Sequence, residues 1–114
     1  MAVTLTKEQI DIQRAAREFA EMVTMTEAAR SICCRAASKL DSGSPDPALS
    51  STAKWYCAEV AVKVADEAIQ LHGGYGILEE YDVAHYWRNA KVLEIFEGSK
   101  EIEKIIIGRK ILGR

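Results

Sequence analysis

Apolar residues in the first third of the chain recur at intervals of three and four, the period of one face of an α-helix. Thr6, with Gln9 three residues later, has the spacing of a capping box that opens this helix. The helix is predicted to run to about Leu40 and to bury its apolar face. That face comprises Phe19, Met22, Met25, Ala29, Ile32, Cys33, Ala36 and Leu40.

A serine-, glycine- and proline-rich segment, residues 41–47, follows this helix and is predicted to be a linker. A second helix is expected to begin with Ser50 or Ser51 as its cap and to end at the paired glycines Gly73 and Gly74. Its apolar face comprises Cys57, Val60, Ala61, Val64, Ala68 and Leu71.

Two shorter helices complete the pattern. Asp82 is predicted to cap the third and Ser99 the fourth. The β-branched run 105–107 is flanked by charged residues in helical alternation, so it favours helix over strand. The sequence therefore predicts an all-α fold, a helical bundle with a long first helix, in one domain spanning residues 1–114. The apolar positions of these two helices are Val83, Tyr86, Trp87, Ala90 and Leu93, then Ile102, Ile105, Ile106 and Leu112.

Composition narrows the classes of function. With 114 residues, 48% of them apolar, the chain is long enough for one core. A net charge of −2 argues against nucleic acid as a partner, and no apolar stretch reaches the roughly 20 residues needed to cross a membrane. We expect a soluble protein of the cytoplasm, or of the mitochondrial matrix in a eukaryote. Cys33, Cys34 and Cys57 lack metal-site or disulfide spacing and are expected to be reduced core residues.

Three glycines lie within four residues at the end of the second helix, in the segment Gln70 to Gly76. A backbone without side chains lets a ligand approach closely. From the residues alone, the simpler interpretation is a helix cap followed by a turn.

The second candidate is Glu97, which precedes a glycine just before the fourth helix. A carboxylate in this position could remove a proton while nearby N–H groups stabilise the resulting oxyanion. The alternative is an acidic residue that simply favours a helix amino terminus.

Together these segments resemble the C-terminal helical domain of the acyl-CoA dehydrogenase family, over about residues 13–114. That family has a Q-x-x-G-G-x-G turn, an R-D-A-K segment and an I-Y-E-G-T segment in this order. Here they read Gln70 to Gly76, then Arg88-Asn89-Ala90-Lys91, then Ile95-Phe96-Glu97-Gly98-Ser99. Upstream, the segments 19–22, 26–30 and 35–37 resemble the preceding helix of the same domain.

The resemblance implies FAD-dependent α,β-desaturation of an acyl-CoA thioester, in which a carboxylate removes the α-proton and flavin N5 accepts the β-hydride. Glu97 matches the catalytic base of the short- and medium-chain members, and its N–H would hydrogen-bond the thioester carbonyl. An electron-transfer flavoprotein is the implied redox partner. The implied cofactor contacts are Gln70, Gly73 and Gly74, toward the FAD of a neighbouring subunit, and Ser99 and Glu101, toward that of their own. The implied substrate contacts are Phe96, Gly98 and Arg109, and no metal site is implied.

Departures from the family pattern are mild within the motifs, because Ser99 keeps a hydroxyl where the family has threonine. The larger departure is that the family's N-terminal helical domain, its middle β domain and an R-x-F-G helix have no counterpart. Residues 5–9 also resemble the family's opening helix, so the chain either begins inside the last domain or joins the two ends of the parent.

Two hypotheses stay open from the sequence. One is a dehydrogenase domain that is inactive as this chain alone. The other is a catalytically silent module that oligomerises or binds a nucleotide or CoA. Because missing helix partners would leave apolar surface exposed, we expect a homo-oligomer, a dimer or a tetramer.

Overall fold

The computed structural model describes residues 4–114 and contains four α-helices. No strand occurs within these residues, so the predicted all-α fold with a long first helix is confirmed. The helices are α1 (Lys7–Asp41), α2 (Pro47–His72), α3 (Asp82–Leu93) and α4 (Lys100–Ile111), and a short 3-10 helix, Gly73–Ile77, follows α2.

The first helix begins as its sequence predicts. The Gln9 N–H donates to Thr6 Oγ1 at 3.2 Å, and the Thr6 N–H donates to Gln9 Oε1 at 2.9 Å. This reciprocal pair satisfies two amides that the helix itself leaves without partners. The predicted end near Leu40 differs by one residue from the observed end at Asp41.

The start of α2 corrects the prediction of a Ser50 or Ser51 cap. Asp46 is the N-cap, and its carboxylate accepts hydrogen bonds from the N–H groups of Ala48 and Leu49 at 3.1 and 3.2 Å. Pro47 is the first helical residue rather than part of the linker. Proline is well tolerated there because the first helical N–H has no partner within the helix.

The caps of α3 and α4 also differ from expectation. Asp82 is the first residue of α3 rather than its cap, and the residue in the cap position, Tyr81, makes no side-chain capping bond. An aspartate in the first turn still interacts favourably with the positive end of the helix dipole. Ser99 occupies the predicted N-cap position of α4, but its side chain makes no capping hydrogen bond either.

The second helix is the centre of the molecule. Helices α1, α3 and α4 each pack against α2, and within residues 4–114 no Cα atoms of these three helices come within 8 Å of one another. The bundle is therefore open rather than closed. Its core is made of small side chains, which allow close packing of the helices: Ala29, Ala53, Ala58, Val60, Val83 and Ala90.

Several residues predicted to be buried are exposed, because within residues 4–114 each outer α-helix packs against no α-helix other than α2. The α1 face is covered at Met22, Met25, Ala29, Ile32 and Ala36. The exposed exceptions to the predicted core are Phe19, Cys33, Cys34 and Leu40 in α1, Tyr86 and Leu93 in α3, and Ile102, Ile105, Ile106 and Leu112 in α4.

The dimensions reflect this openness. The radius of gyration is 18.3 Å, whereas a compact domain of this length has about 13 Å. Among residues 4–114, no helix combines the length and apolar character needed to span a bilayer.

Candidate functional site

Residues 94–99 connect α3 to α4 and carry the predicted base. The N–H groups of Ile95 and Phe96 both donate to the Val92 carbonyl, at 3.0 and 3.1 Å, which closes the end of α3 with a tight turn. Glu97 then has a φ of 53° and Gly98 a φ of 100°. These two residues directly precede Ser99, the N-cap of α4.

Glu97 is the one residue other than glycine with a positive φ in the described part of the chain. A left-handed conformation costs such a residue on the order of 1–2 kcal/mol, and it persists only where the surroundings hold it. The Glu97 side chain is exposed, so burial of its own atoms does not offset this cost. Strain of this kind is concentrated at active sites and ligand-binding loops.

Gly98 is favoured at its position by its backbone conformation. Its φ of 100° disfavours any residue with a Cβ atom, and a Cβ there would also meet Oε1 of Glu103, the end of a flexible side chain that can shift. The Glu103 side chain, from the first turns of α4, is largely buried against this glycine. Close contact with Glu103 therefore supports the loop from the α4 side.

Glu94 supports the loop from the α3 side. Its carboxylate is buried and accepts a hydrogen bond from Lys91 Nζ at 2.6 Å, with Lys100 Nζ at 3.6 Å. The hydrogen bond from Lys91 holds the pKa of Glu94 below its ordinary value of 4.5, although burial acts in the opposite direction. Glu94 therefore links the end of α3 to the start of α4 through opposite charges.

Lys54 reaches the same loop from α2. Its ammonium group donates hydrogen bonds to the carbonyl of Leu93 and, at 3.3 Å, to that of Gly98. It also lies over the ring of Phe96, 5.8 Å from the ring centroid. Phe96 itself is 46% exposed, so its ring is available at the surface beside Glu97.

The glycine turn forms the opposite end of α2. Gly73 ends the helix with a φ of 64°, and Gly76 is buried against the backbone of Ile69. Gln70 and Gly74 are exposed, and a Cβ at Gly73 or Gly74 would meet no atom within 4 Å. The fold therefore needs glycine at position 76 for space and at 73 for its φ, but it has no such requirement at 74.

The remaining predicted site residues lie on α4 or at its start. Ser99 precedes the helix beside the Glu97 loop, whereas Glu101 and Arg109 are exposed on its surface. Lys110 Nζ lies 3.3 Å from Asp46 Oδ1, so the far end of α4 meets the beginning of α2. Arg109 is therefore more than two helical turns away from Glu97 along α4.

One chain does not bring the predicted site residues together. The Glu97 loop is attached to α2 at Lys54, whereas the glycine turn begins at Gln70, roughly 24 Å farther along the helix axis. A ligand that contacts both groups directly would have to be long or would have to lie between two chains.

An apolar hollow of about 430 Å³ opens between α1 and α3 on the surface of α2. Within residues 4–114 the Cα atoms of α1 and α3 all lie more than 8 Å apart, which leaves room for this hollow. Glu97 is not part of its lining, which comprises Thr26, Ala29, Cys57, Val60, Ala61, Val64, Ala65, Tyr86, Asn89, Ala90 and Leu93.

Three residues that shape the loop were missed by the sequence interpretation: Lys54, Glu94 and Glu103. A single signal was available, because Lys54 is a lone cation within an alanine-rich stretch of α2. Glu94 and Glu103 follow ordinary helical charge patterns, which do not distinguish a buried carboxylate from a solvated one.

Comparison with known proteins shows which family the chain belongs to. Residues 3–112 match the family described as "Acyl-CoA dehydrogenase, C-terminal domain". Cyclohexane-1-carbonyl-CoA dehydrogenase of Geobacter metallireducens is 39% identical over 94 residues, which cover 82% of this chain and 25% of that protein.

Two solved structures share the fold. Butyryl-CoA dehydrogenase from Megasphaera elsdenii superposes with a TM-score of 0.88 at 36% identity, covering 98% of this chain and 29% of that one. A chain from a structure of the electron transferring flavoprotein of Acidaminococcus fermentans has a TM-score of 0.87 at 34% identity, covering 90% of this chain and 27% of that one.

The chain spans about a quarter of the length of the curated relatives it matches. The match nevertheless includes all four helices, the glycine turn and the Glu97 loop. The chain therefore belongs to the acyl-CoA dehydrogenase family, as a C-terminal helical domain.

Proposed function

We propose that this chain supplies the catalytic base and part of the flavin site of an acyl-CoA dehydrogenase, and that it is not active alone. The observation that carries the proposal is the strained conformation of Glu97. Its φ of 53° is maintained in an exposed loop between contacts from α2, α3 and α4. A loop that only joined two helices would have no need to hold an exposed carboxylate in this way.

In the proposed reaction, a Glu97 carboxylate oxygen takes the proton from the carbon next to the thioester carbonyl. The electron pair of that C–H bond forms the new double bond, and a hydride leaves the adjacent carbon. FAD, when bound, supplies the acceptor for that hydride. The Glu97 N–H donates to the thioester oxygen and stabilises the negative charge that develops on it. Phe96 contributes apolar surface for the acyl chain, with Gly98 beside it.

The residues that the structure offers suit one edge of a flavin site. Gly73 and Gly74 present an exposed backbone that a ligand can approach, and the exposed Gln70 amide can donate and accept hydrogen bonds. Ser99 and Glu101 are proposed to form a second edge beside Glu97. These groups cover a small part of a dinucleotide, so other chains or domains must provide the rest.

We further propose that two or more copies associate, each giving its glycine turn to the site of a neighbour. The stretch of α2 between Lys54, which contacts the Glu97 loop, and Gln70, where the glycine turn begins, is roughly 24 Å long and supports this arrangement. So do the radius of gyration of 18.3 Å and the apolar side chains left exposed on α4. Exposed apolar surface on this scale is typical of an interface. An electron-transfer flavoprotein is the proposed redox partner.

Flavin and substrate titrations test the enzymatic proposal. The purified chain is mixed with FAD, with and without the N-terminal and middle domains of a relative, and flavin binding is followed by fluorescence. Butyryl-CoA is then added without oxygen, and loss of the blue absorption of oxidised flavin reports the reaction. The Glu97→Gln variant should bind FAD as the unmodified chain does, whereas its rate should fall by about 10²–10⁴-fold. Glu80→Gln, an exposed glutamate outside the loop, serves as the control.

Equal loss of FAD binding and reaction rate in Glu97→Gln would contradict the role of base. A chain that binds no flavin even with the added domains would support the second candidate function, a silent module for oligomerisation or for binding CoA. The open bundle and its exposed α4 face favour that candidate. A monomer at micromolar concentration in sedimentation velocity would contradict the proposed association under either function.

A further inference from the structure

Lys54 connects both ends of the loop that carries Glu97. Its ammonium group donates to the carbonyl of Leu93, the last residue of α3, and to that of Gly98, which directly follows Glu97. It also lies over the ring of Phe96, on the other side of Glu97. One side chain thus contacts both neighbours of the proposed base.

The chemistry of each contact favours a cation. The last carbonyls of a helix have no partner within the helix and carry the negative end of its dipole, so the Leu93 carbonyl attracts an ammonium group. An ammonium has three donors, enough to reach both carbonyls at once. The face of the Phe96 ring offers further electrostatic attraction to the same charge.

The other contacts that support the loop come from its two flanking helices, α3 and α4. Glu94 and its lysine partners hold the α3 side, and Glu103 packs against Gly98 from α4. Lys54 ties the loop to α2, the helix on which the other helices of residues 4–114 pack. The loop that holds Glu97 at its positive φ thus has a contact from outside its two flanking helices.

We propose that Lys54 is a positioning residue that keeps Glu97 in its left-handed conformation, and so directs the carboxylate. A catalytic effect of directing the Glu97 carboxylate rests on the proposed function of Glu97 as the base. The positioning itself does not, because it can be measured on the chain alone, without flavin or acyl-CoA. Failure of the positioning role and failure of the catalytic role are therefore distinguishable.

Nuclear magnetic resonance of the labelled chain tests the proposal. A positive φ brings an amide proton close to its own Hα, so Glu97 should show a strong intraresidue Overhauser effect. Lys54→Met should weaken this signal and should speed hydrogen exchange at Ile95 and Phe96 by about tenfold or more. Amides in the middle of α2 should keep their protection. Lys54→Arg, which retains the charge and several donors, should restore most of both signals.

Lys63→Met is the matched control, because Lys63 is an exposed lysine of the same helix that makes none of the contacts with the loop. It should leave Glu97, Ile95 and Phe96 unchanged. Unchanged loop signals in Lys54→Met would overturn the proposal, as would failure of arginine to restore them in a folded chain.

Lys54→Gln covers the case in which the methionine variant does not fold. If the glutamine variant folds, the same loop signals decide the question. If both variants unfold throughout and arginine does not recover the loop, Lys54 supports the fold as a whole, and the specific positioning role is wrong.

Discussion

Replacing Gly76 with alanine tests the structural interpretation of the glycine turn. Gly76 is the buried glycine of the three, and a Cβ atom there would lie 2.6 Å from the carbonyl oxygen of Ile69 and 3.1 Å from its Cα and Cγ2 atoms. Two of these three atoms belong to the backbone of the last turns of α2. A side-chain rotation cannot relieve a backbone contact, so the turn or the helix end has to move.

The expected loss of stability in Gly76→Ala follows from the short contact between the new Cβ and the Ile69 carbonyl oxygen. The Cβ to oxygen separation has to increase beyond 3.0 Å, the limit that real Cβ contacts essentially never cross. Forcing one extra carbon into a packed position costs about 1–3 kcal/mol. For a domain near this size, each 1 kcal/mol lowers the melting temperature by roughly 4–8 °C. We therefore expect the melting temperature to fall by roughly 10 °C.

Gly74→Ala is the matched control for this measurement. It adds the same atom two residues earlier, where the Cβ would meet nothing within 4 Å and the backbone has no positive φ. Alanine at such a position leaves stability unchanged or raises it by up to about 1 kcal/mol, since it reduces the freedom of the unfolded chain. Thermal unfolding followed by circular dichroism at matched protein concentration compares the two variants.

Equal melting temperatures for the two variants would refute this account of the turn. A clear destabilisation by Gly74→Ala would also refute it, because no contact in the fold explains such a result. If Gly74→Ala is stable yet loses affinity for FAD in the reconstituted mixture, the requirement for glycine at 74 comes from the ligand. That outcome would separate the two interpretations of the glycine segment.

Three further predictions concern other parts of the chain. Because the pKa of Glu94 is lowered on folding, its contribution to stability is present above about pH 4.5 and is lost as the pH falls through the lowered value. The difference in unfolding free energy between the unmodified chain and Glu94→Gln should therefore shrink between pH 6 and pH 3 in urea titrations. Burial, and secondarily the nearby Cys33, raise the pKa of the Cys57 thiol. Iodoacetamide at pH 8 should therefore modify Cys57 more slowly than the exposed Cys33, as measured by mass spectrometry. Equal rates of modification would contradict this prediction. Gly98→Ala should destabilise the chain because of the positive φ at that position. Alanine at Gly108, inside α4 with open space around it, should stabilise the chain by about 0.5–1 kcal/mol in the same melts; the opposite order would contradict the assigned roles.

Local signals in the sequence were enough for most helix boundaries. The pairing of Thr6 with Gln9 acts within one turn, and Gly73 ends α2 through its own positive φ. These effects depend on residues three or four positions apart, so they can be read before any tertiary contact is known. The order of the glycine turn and the E-G-S segment likewise sufficed to predict the family.

The predicted start of α2 was wrong because several nearby residues could each have capped the helix. Asp46, Ser50 and Ser51 are all good capping residues, and the sequence interpretation treated Pro47 as a helix breaker rather than as a first helical residue. The competition was decided by Asp46, whose carboxylate bonds to two amides at once and which also meets Lys110 of α4. That last contact joins residues far apart in the chain.

Periodicity by itself determined which face of each helix is apolar, but only the tertiary structure decided which faces are covered. The α4 positions Ile102 and Ile105 follow a helical period yet remain about half exposed, because α4 has a single neighbour. Similarly, the motif located Glu97, but its positive φ and the contacts of its loop with α2, α3 and α4 appear only in the tertiary structure. A periodic pattern shows which face of a helix is apolar. Whether that face is buried, and where a side chain points, depends on which distant elements pack against the helix.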